Sequence, residues 1–148
     1  MKYTKFQQGS SITLEGLKSH LRIVDSTHDA ELSALLKSAT LYVQEYFNTT
    51  LVECSVKQDC PVADSSFTIF LSNQTNILVK DSENNEVGFT REGNTLSLAE
   101  PKSVKIFYNC TPEEDVDKYS QIVYQVAGAN YDGQPELIKT ILKNYPVA

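Results

Sequence analysis

The side chains best suited to nucleophilic, acid–base or metal chemistry are two histidines, three cysteines and one acidic run, and their spacing limits what each can do. His28 precedes Asp29, and a His–Asp pair can serve as a base with its orienter. Adjacent residues at a helix start point in different directions, however, so His28 reads as a solvated residue of a capping region. His20 stands near Arg22 on an earlier helix. Cys54, Cys60 and Cys110 are odd in number and irregularly spaced, which argues against a disulfide framework. A zinc site needs four well-spaced ligands, and the histidines lie on a different element from the thiols, so ordinary buried or half-buried cysteines are expected. Glu113, Glu114, Asp115 and Asp117 could suggest a cation site, but their place at a helix start makes a favourable interaction with the helix dipole the simpler account. The scattered glycines form no GxxxxGK or GxGxxG phosphate loop, and no GxSxG elbow occurs. The expectation is a protein that is not an enzyme, with no catalytic, cofactor-binding or metal-ligating residue.

Composition narrows the class further. A chain of 148 residues can bury a core without disulfides or metal, and one domain is expected. The net charge of −6 opposes strong non-specific attraction to nucleic acid and makes a sequence-specific DNA reader a poor fit. An acidic balance does suit a conduit wall along which DNA slides without sticking. No apolar run approaches the roughly 20 residues needed to span a bilayer, so no membrane association is expected. The start, MKYTKFQQGSS, lacks the apolar core of a signal peptide, and a cytosolic protein is expected. In that setting the Asn-x-Thr triplets at Asn48, Asn73 and Asn109 are chance matches to a glycosylation acceptor.

The elements that carry these residues begin after a polar stretch, 1–10, expected to be a flexible arm. Thr13 can cap a first helix, with Ile12 and Leu17 at the two staple positions and Leu14, Leu17 and Leu21 along one face. Ser26 and Asp29 form a capping-box-like pair for a second helix. There Leu32, Leu35, Leu36, Ala39, Tyr42, Val43, Tyr46 and Phe47 recur at the spacing of one buried stripe. Glu31, Lys37, Ser38, Gln44 and Glu45 fall toward water, and Asn48 to Thr50 end the helix. From Leu51 the period becomes two, with Val52, Cys54 and Val56 on one side and Glu53, Ser55 and Lys57 on the other.

Pro61 is expected to break this strand. Phe67, Ile69 and Leu71 form a second run, and Ile77 with Val79 a third, joined by a hairpin loop over Ser72 to Asn76. Val87 and Phe89, a turn at Glu92-Gly93-Asn94, Leu96 with Leu98, and finally Val104, Ile106 and Tyr108 complete a mainly antiparallel sheet or small barrel with neighbouring strands paired in order. Thr111, Pro112 and Glu114 signal another helix start, with Asp115 as an alternative, and Tyr119, Ile122, Val123, Val126 and Ala127 give its stripe. Pro135 can open a last helix lined by Ile138, Ile141, Leu142 and Tyr145, stopped by Pro146. Of the tyrosines on helices, Tyr42, Tyr46, Tyr119, Tyr124 and Tyr131, most fit core or half-buried positions with the hydroxyl at the rim, and some could instead anchor a subunit interface.

The run from Ile12 to Leu51 resembles the opening of the gp6-like head-tail connector proteins of tailed phages and prophages. The residues that carry the likeness are Ile12, Thr13, Leu14, Lys18, Leu21, Arg22, Ile23, Asp25, Asp29 and the Tyr46-Phe47 pair. Val116 to Tyr131, with Ile122, Val126 and Ala127, is similar to the family's later helix, although Asp117 stands where Pro is common and Gly128, Ala129 and Asn130 replace bulkier residues. The resemblance implies an α+β fold: an N-terminal helix pair over 11–50, an inserted antiparallel sheet or barrel-like unit over 51–110, and C-terminal helices over 111–148 packing back on the pair. It also implies a structural connector that docks on the portal ring and extends the DNA channel to the tail as a homo-oligomeric ring, dodecameric when assembled. Its partners would be the portal protein and tail or head-completion proteins, with DNA passing through unread. It would be made in the cytoplasm of the bacterial host and end in the virion neck. The candidate assembly surfaces are the arm, the β-hairpin tips and the final helix. The competing reading is a small binding or regulatory module whose sheet captures a peptide or small ligand.

Overall fold

A computed structural model describes residues 1–7 and 12–145. In chain order it contains β1 (Lys2–Gln7), α1 (Leu14–Leu21), α2 (Asp29–Phe47), β2 (Glu53–Thr68), β3 (Gln74–Asp81), β4 (Thr90–Glu92), β5 (Thr95–Cys110), α3 (Asp117–Tyr131), a 3₁₀ turn (Pro135–Leu137) and α4 (Ile138–Lys143). The expected α+β class holds, and the sheet is open rather than barrel-like. Where length leads to an expectation of one domain, the chain divides into two compact units, each assembled from separated segments. The helical unit takes residues 8–51 and 113–148, and the β unit takes residues 1–7 and 52–112.

Local chemistry sets the helical unit. Thr13 Oγ1 accepts the Gly16 N–H at 3.0 Å, the cap expected from sequence, while Ile12 and Leu17 are both buried as a staple requires. The second cap differs from expectation. His28, not Ser26, is the N-cap residue of α2, and it makes no side-chain capping bond. Asp29 turns instead to Lys18, whose Nζ lies 2.9 Å from Oδ1. Leu32, Leu36, Ala39 and Val43 form the buried stripe of α2, whereas Tyr42 and Tyr46 stand largely in solvent.

Gln44, assigned by its polarity to the water side, is fully buried; its Oε1 accepts the Leu51 N–H at 2.8 Å and so satisfies the backbone just past the helix. Helix α3 starts at Asp117, later than Pro112, and its Tyr119, Ile122, Val123, Val126 and Ala127 join Leu17, Leu32, Leu36 and Leu142 in one core. The last helix opens as a 3₁₀ turn at Pro135, with Leu142 buried on α4 and Ile138, Ile141 and Tyr145 packed at the core's edge. Pro146 lies outside the described residues.

The β unit corrects the expected strand order. Its path is β1-β2-β5-β3 with β4 paired to β5, all antiparallel, so β2 and β3 are separated by β5 and the loop between them is no hairpin. Pro61 does not break a strand. β2 runs through it for 16 residues, and β5 likewise runs through Pro101. Both prolines fall where the β2–β5 register slips, between Cys60 and Ser66 on one strand and Ser97 and Val104 on the other, and a bulge tolerates a residue without an N–H. The expected turn at Gly93-Asn94 does join β4 to β5, and Gly93 takes the positive φ of 59° that it requires. Residues 2–7 of the expected arm are strand β1, paired with β2; residues 8–10 lie outside the described residues.

Alternation then divides the sheet's two faces. Cys54, Val56, Val79, Val104, Ile106, Tyr108 and Cys110 turn into the core of the β unit, while Glu53, Asp59 and Lys105 are exposed between them.

Candidate functional site

The residue types capable of chemistry are dispersed. His20 is exposed on α1 with its ring 6.2 Å from that of Tyr124, and His28 lies 3.7 Å from Glu31 rather than on Asp29. Because Asp29 is engaged by Lys18, the two neighbours form no dyad; the hydrogen bond from Lys18 in turn holds its ammonium above the ordinary lysine range. In the acidic run, Asp115 pairs with Lys118 at 2.7 Å, and that hydrogen bond keeps the carboxyl below its usual pKa. Among the described residues no group of three or more His, Cys, Asp or Glu is placed to hold a metal ion.

Cys54 and Cys110 are buried directly opposite one another on β2 and β5, Cys60 is half-buried, and no disulfide joins them. Burial, with Asp59 nearby, pushes the Cys60 thiol up, against a smaller opposing effect of a hydrogen bond with Gln58.

Polar contacts that sequence reasoning passed over hold the loops of the β unit. Gln74 Nε2 donates to the carbonyls of Phe70 at 3.1 Å and Leu71 at 2.9 Å, while its Oε1 accepts from Arg91 Nη2 at 2.8 Å. Arg91 Nε also donates to the Gly93 carbonyl at 2.9 Å, so the β4–β5 turn is braced against the loop after β2. Tyr108 Oη accepts the Phe70 N–H at 3.2 Å and donates to Gln58 Oε1 at 3.1 Å, and Gln58 Nε2 reaches the Thr68 carbonyl at 2.8 Å. The one signal in sequence for this network is a Gln and a Tyr occupying inward positions of alternating strands.

Of the expected assembly surfaces, the final helix is tied into its unit, with Gln125 Nε2 donating to Tyr145 Oη at 2.7 Å. Among the described residues the large apolar side chains left in solvent are dispersed too: Met1 before β1, Val24 in the α1–α2 turn, Val62 beside the β2 bulge, Phe70 after β2, Leu137 in the 3₁₀ turn before α4, and Tyr42 with Tyr46 one turn apart on α2. A groove of about 650 Å³ crosses the end of the β unit between Lys5, Ser55, Thr75 and Asn109. Among the described residues no helix is long and apolar enough to cross a membrane.

Comparison with known proteins agrees with the helix pair, sheet and returning helices. No curated protein matches the sequence. A chain from a structure described as the neck of an empty GTA particle, computed with C6 symmetry, has a similar fold, with a TM-score of 0.56 over 89% of this chain and 84% of that one at 13% identity. The family described as phage gp6-like head-tail connector protein matches residues 11–144, which takes in both units. The chain belongs to the phage gp6-like head-tail connector family.

Proposed function

We propose that this connector docks beneath the portal ring of a phage or prophage capsid, closes into a homo-oligomeric ring, and extends the DNA channel toward the tail. The observation that carries this reading is the family match over residues 11–144. The fold shared with a neck chain from a C6-symmetric particle supports it, since twelve copies, the number expected for a portal-bound ring, are compatible with sixfold symmetry. A closed ring requires each copy to offer two different faces, because only a head-to-tail contact that returns on itself closes. Its work is therefore self-association and docking, without turnover, beginning in the host cytoplasm and ending in the virion neck. Partners are the portal on one side and tail or head-completion proteins on the other. The test is to mix the protein with purified portal or procapsids and examine the complexes by electron microscopy. Rings seated on the portal support the reading; a protein that stays unbound and monomeric at high concentration overturns it.

A further inference from the structure

The outward face of the β unit's sheet gathers lysines in a way that net charge conceals. Strand register aligns Lys2 with Lys57 and, across the sheet, Phe107 with Leu78. One row away stand Asp59, Lys105 and Lys80, and on the other side Lys5, Ser55, Asn109 and Thr75. Lys2 and Lys5, three residues apart, would face opposite sides of a regular strand; the register shift between Tyr3 and Lys5 turns both outward. The face thus carries five lysines against three carboxylates, Glu53, Asp59 and Glu86, the last bridged directly opposite Lys80, in a chain whose acidic residues outnumber its basic ones 19 to 13. Lys57 meets Asp59 only at 4.0 Å, and Lys80 lies 5.9 Å above the Phe107 ring.

Lysines on β1 and β3 have a bland explanation, since charged side chains protect edge strands from pairing. Lys57 and Lys105 stand on β2 and β5, the central strands, where no edge needs protection. We propose that this face binds the phosphate backbone of duplex DNA without regard to sequence. Neighbouring strands lie about 4.8 Å apart and same-face residues on one strand about 6.6 Å apart, so the array can meet several phosphates of a duplex at once. Every cation in it is lysine, a point charge that neutralises phosphate without the forked geometry by which arginine reads guanine. Ser55, Thr75 and Asn109 add the hydroxyl and amide groups that commonly complete phosphate contacts. An acidic protein surface is the weaker match, because lysine is depleted and arginine enriched where proteins dock. The inference rests on the connector reading for the source of the DNA.

The test is fluorescence anisotropy of the full chain with a labelled random-sequence duplex of about 30 base pairs between 50 and 200 mM salt. We expect binding whose logarithm falls with log salt at a slope of about −3 to −5, and a slope smaller by about 2 in the Lys57→Gln/Lys105→Gln pair. Lys139→Gln/Lys143→Gln, on α4, should leave the slope unchanged. DNA should also slow acetylation of Lys57 and Lys105, read by mass spectrometry on the unaltered protein. Absence of binding at 50 mM salt, equal slopes in both pairs, or binding of polyglutamate in place of DNA overturns the proposal. Portal docking without DNA affinity would sink this inference alone, and DNA affinity without portal docking would sink the connector reading alone.

Discussion

The hydroxyl of Tyr124 on α3 lies in the space where a side chain on Gly16 of α1 would begin: a Cβ built on Gly16 overlaps the phenol. The same oxygen accepts the Thr13 N–H at 3.2 Å, so the start of α1 is held by a contact that only glycine permits. Gly128 on α3 makes the approach closer still, since a Cβ there would meet Leu21 at 3.2 Å.

Replacing Gly16 with alanine should therefore destabilise the protein although alanine is the better helix former. The propensity gain is about 1 kcal/mol, while overpacking costs about 1–3 kcal/mol and the displaced phenol gives up its hydrogen bond. Thermal unfolding should show a lower Tm for Gly16→Ala. Against that background Tyr124→Leu should cost less than it does in the parent, because the two residues contend for one space. Additive effects in the double-mutant cycle would remove the steric account.

Gln44 gives a second prediction, argued from hydrogen bonding. Leucine at this position keeps most of the volume but leaves the buried Leu51 N–H without the Oε1 that accepts it at 2.8 Å. A loss of about 1–3 kcal/mol is expected, seen as a lower urea midpoint with an unchanged slope. A variant as stable as the parent would mean that water takes over the bond.

These two sites mark how far the sequence can be read. The cap at Thr13 and the stripe of Leu32, Leu36, Ala39 and Val43 are legible because helix periodicity and capping act within a few residues. Gln44 is not, because its partner lies seven residues on, beyond the helix. In the β unit, alternation correctly divides Cys54 and Val56 from Glu53 and Lys57. It says nothing of partners, and the pairing of β2 with β5 rather than β3 is a long-range choice. Pro61 misleads locally, since a bulge that accepts proline exists only once both strands are in register. The lysine face is hidden for the same reason. Its members come from four strands, and Lys2 joins Lys5 only through the irregularity at Thr4.

Cys60 should be distinguishable from the other two thiols by its reactivity. It is half-buried, whereas Cys54 and Cys110 are closed off between the paired strands. Its raised pKa keeps the thiolate fraction at pH 8 below that of an ordinary surface cysteine, and the thiolate is the reactive form. Alkylation of the native protein followed by mass spectrometry should modify one residue, slowly, with a rate still climbing above pH 9. Rapid labelling of Cys54 or Cys110 in the native state would contradict the closed strand pair.

Tyr108 is expected to set the alkaline limit of the β unit. Burial is the main reason its pKa is pushed up to about 12 from an ordinary 10, with the Phe70 N–H opposing the rise in part. An acid whose folded pKa lies above its unfolded one favours folding in the protonated form. That contribution is complete below pH 10 and disappears as pH climbs through about 12. After allowance for solvent screening it amounts to roughly 1–2 kcal/mol. Urea midpoints measured from pH 8 to 12 should therefore hold level and then fall beyond pH 10. Tyr108→Phe should be less stable at pH 8, because Gln58 Oε1 loses its donor and the Phe70 N–H its acceptor. The same variant should show a shallower decline above pH 10. A decline as steep as the parent's would move the alkaline transition to another group, the remaining tyrosines and the lysines being the alternatives.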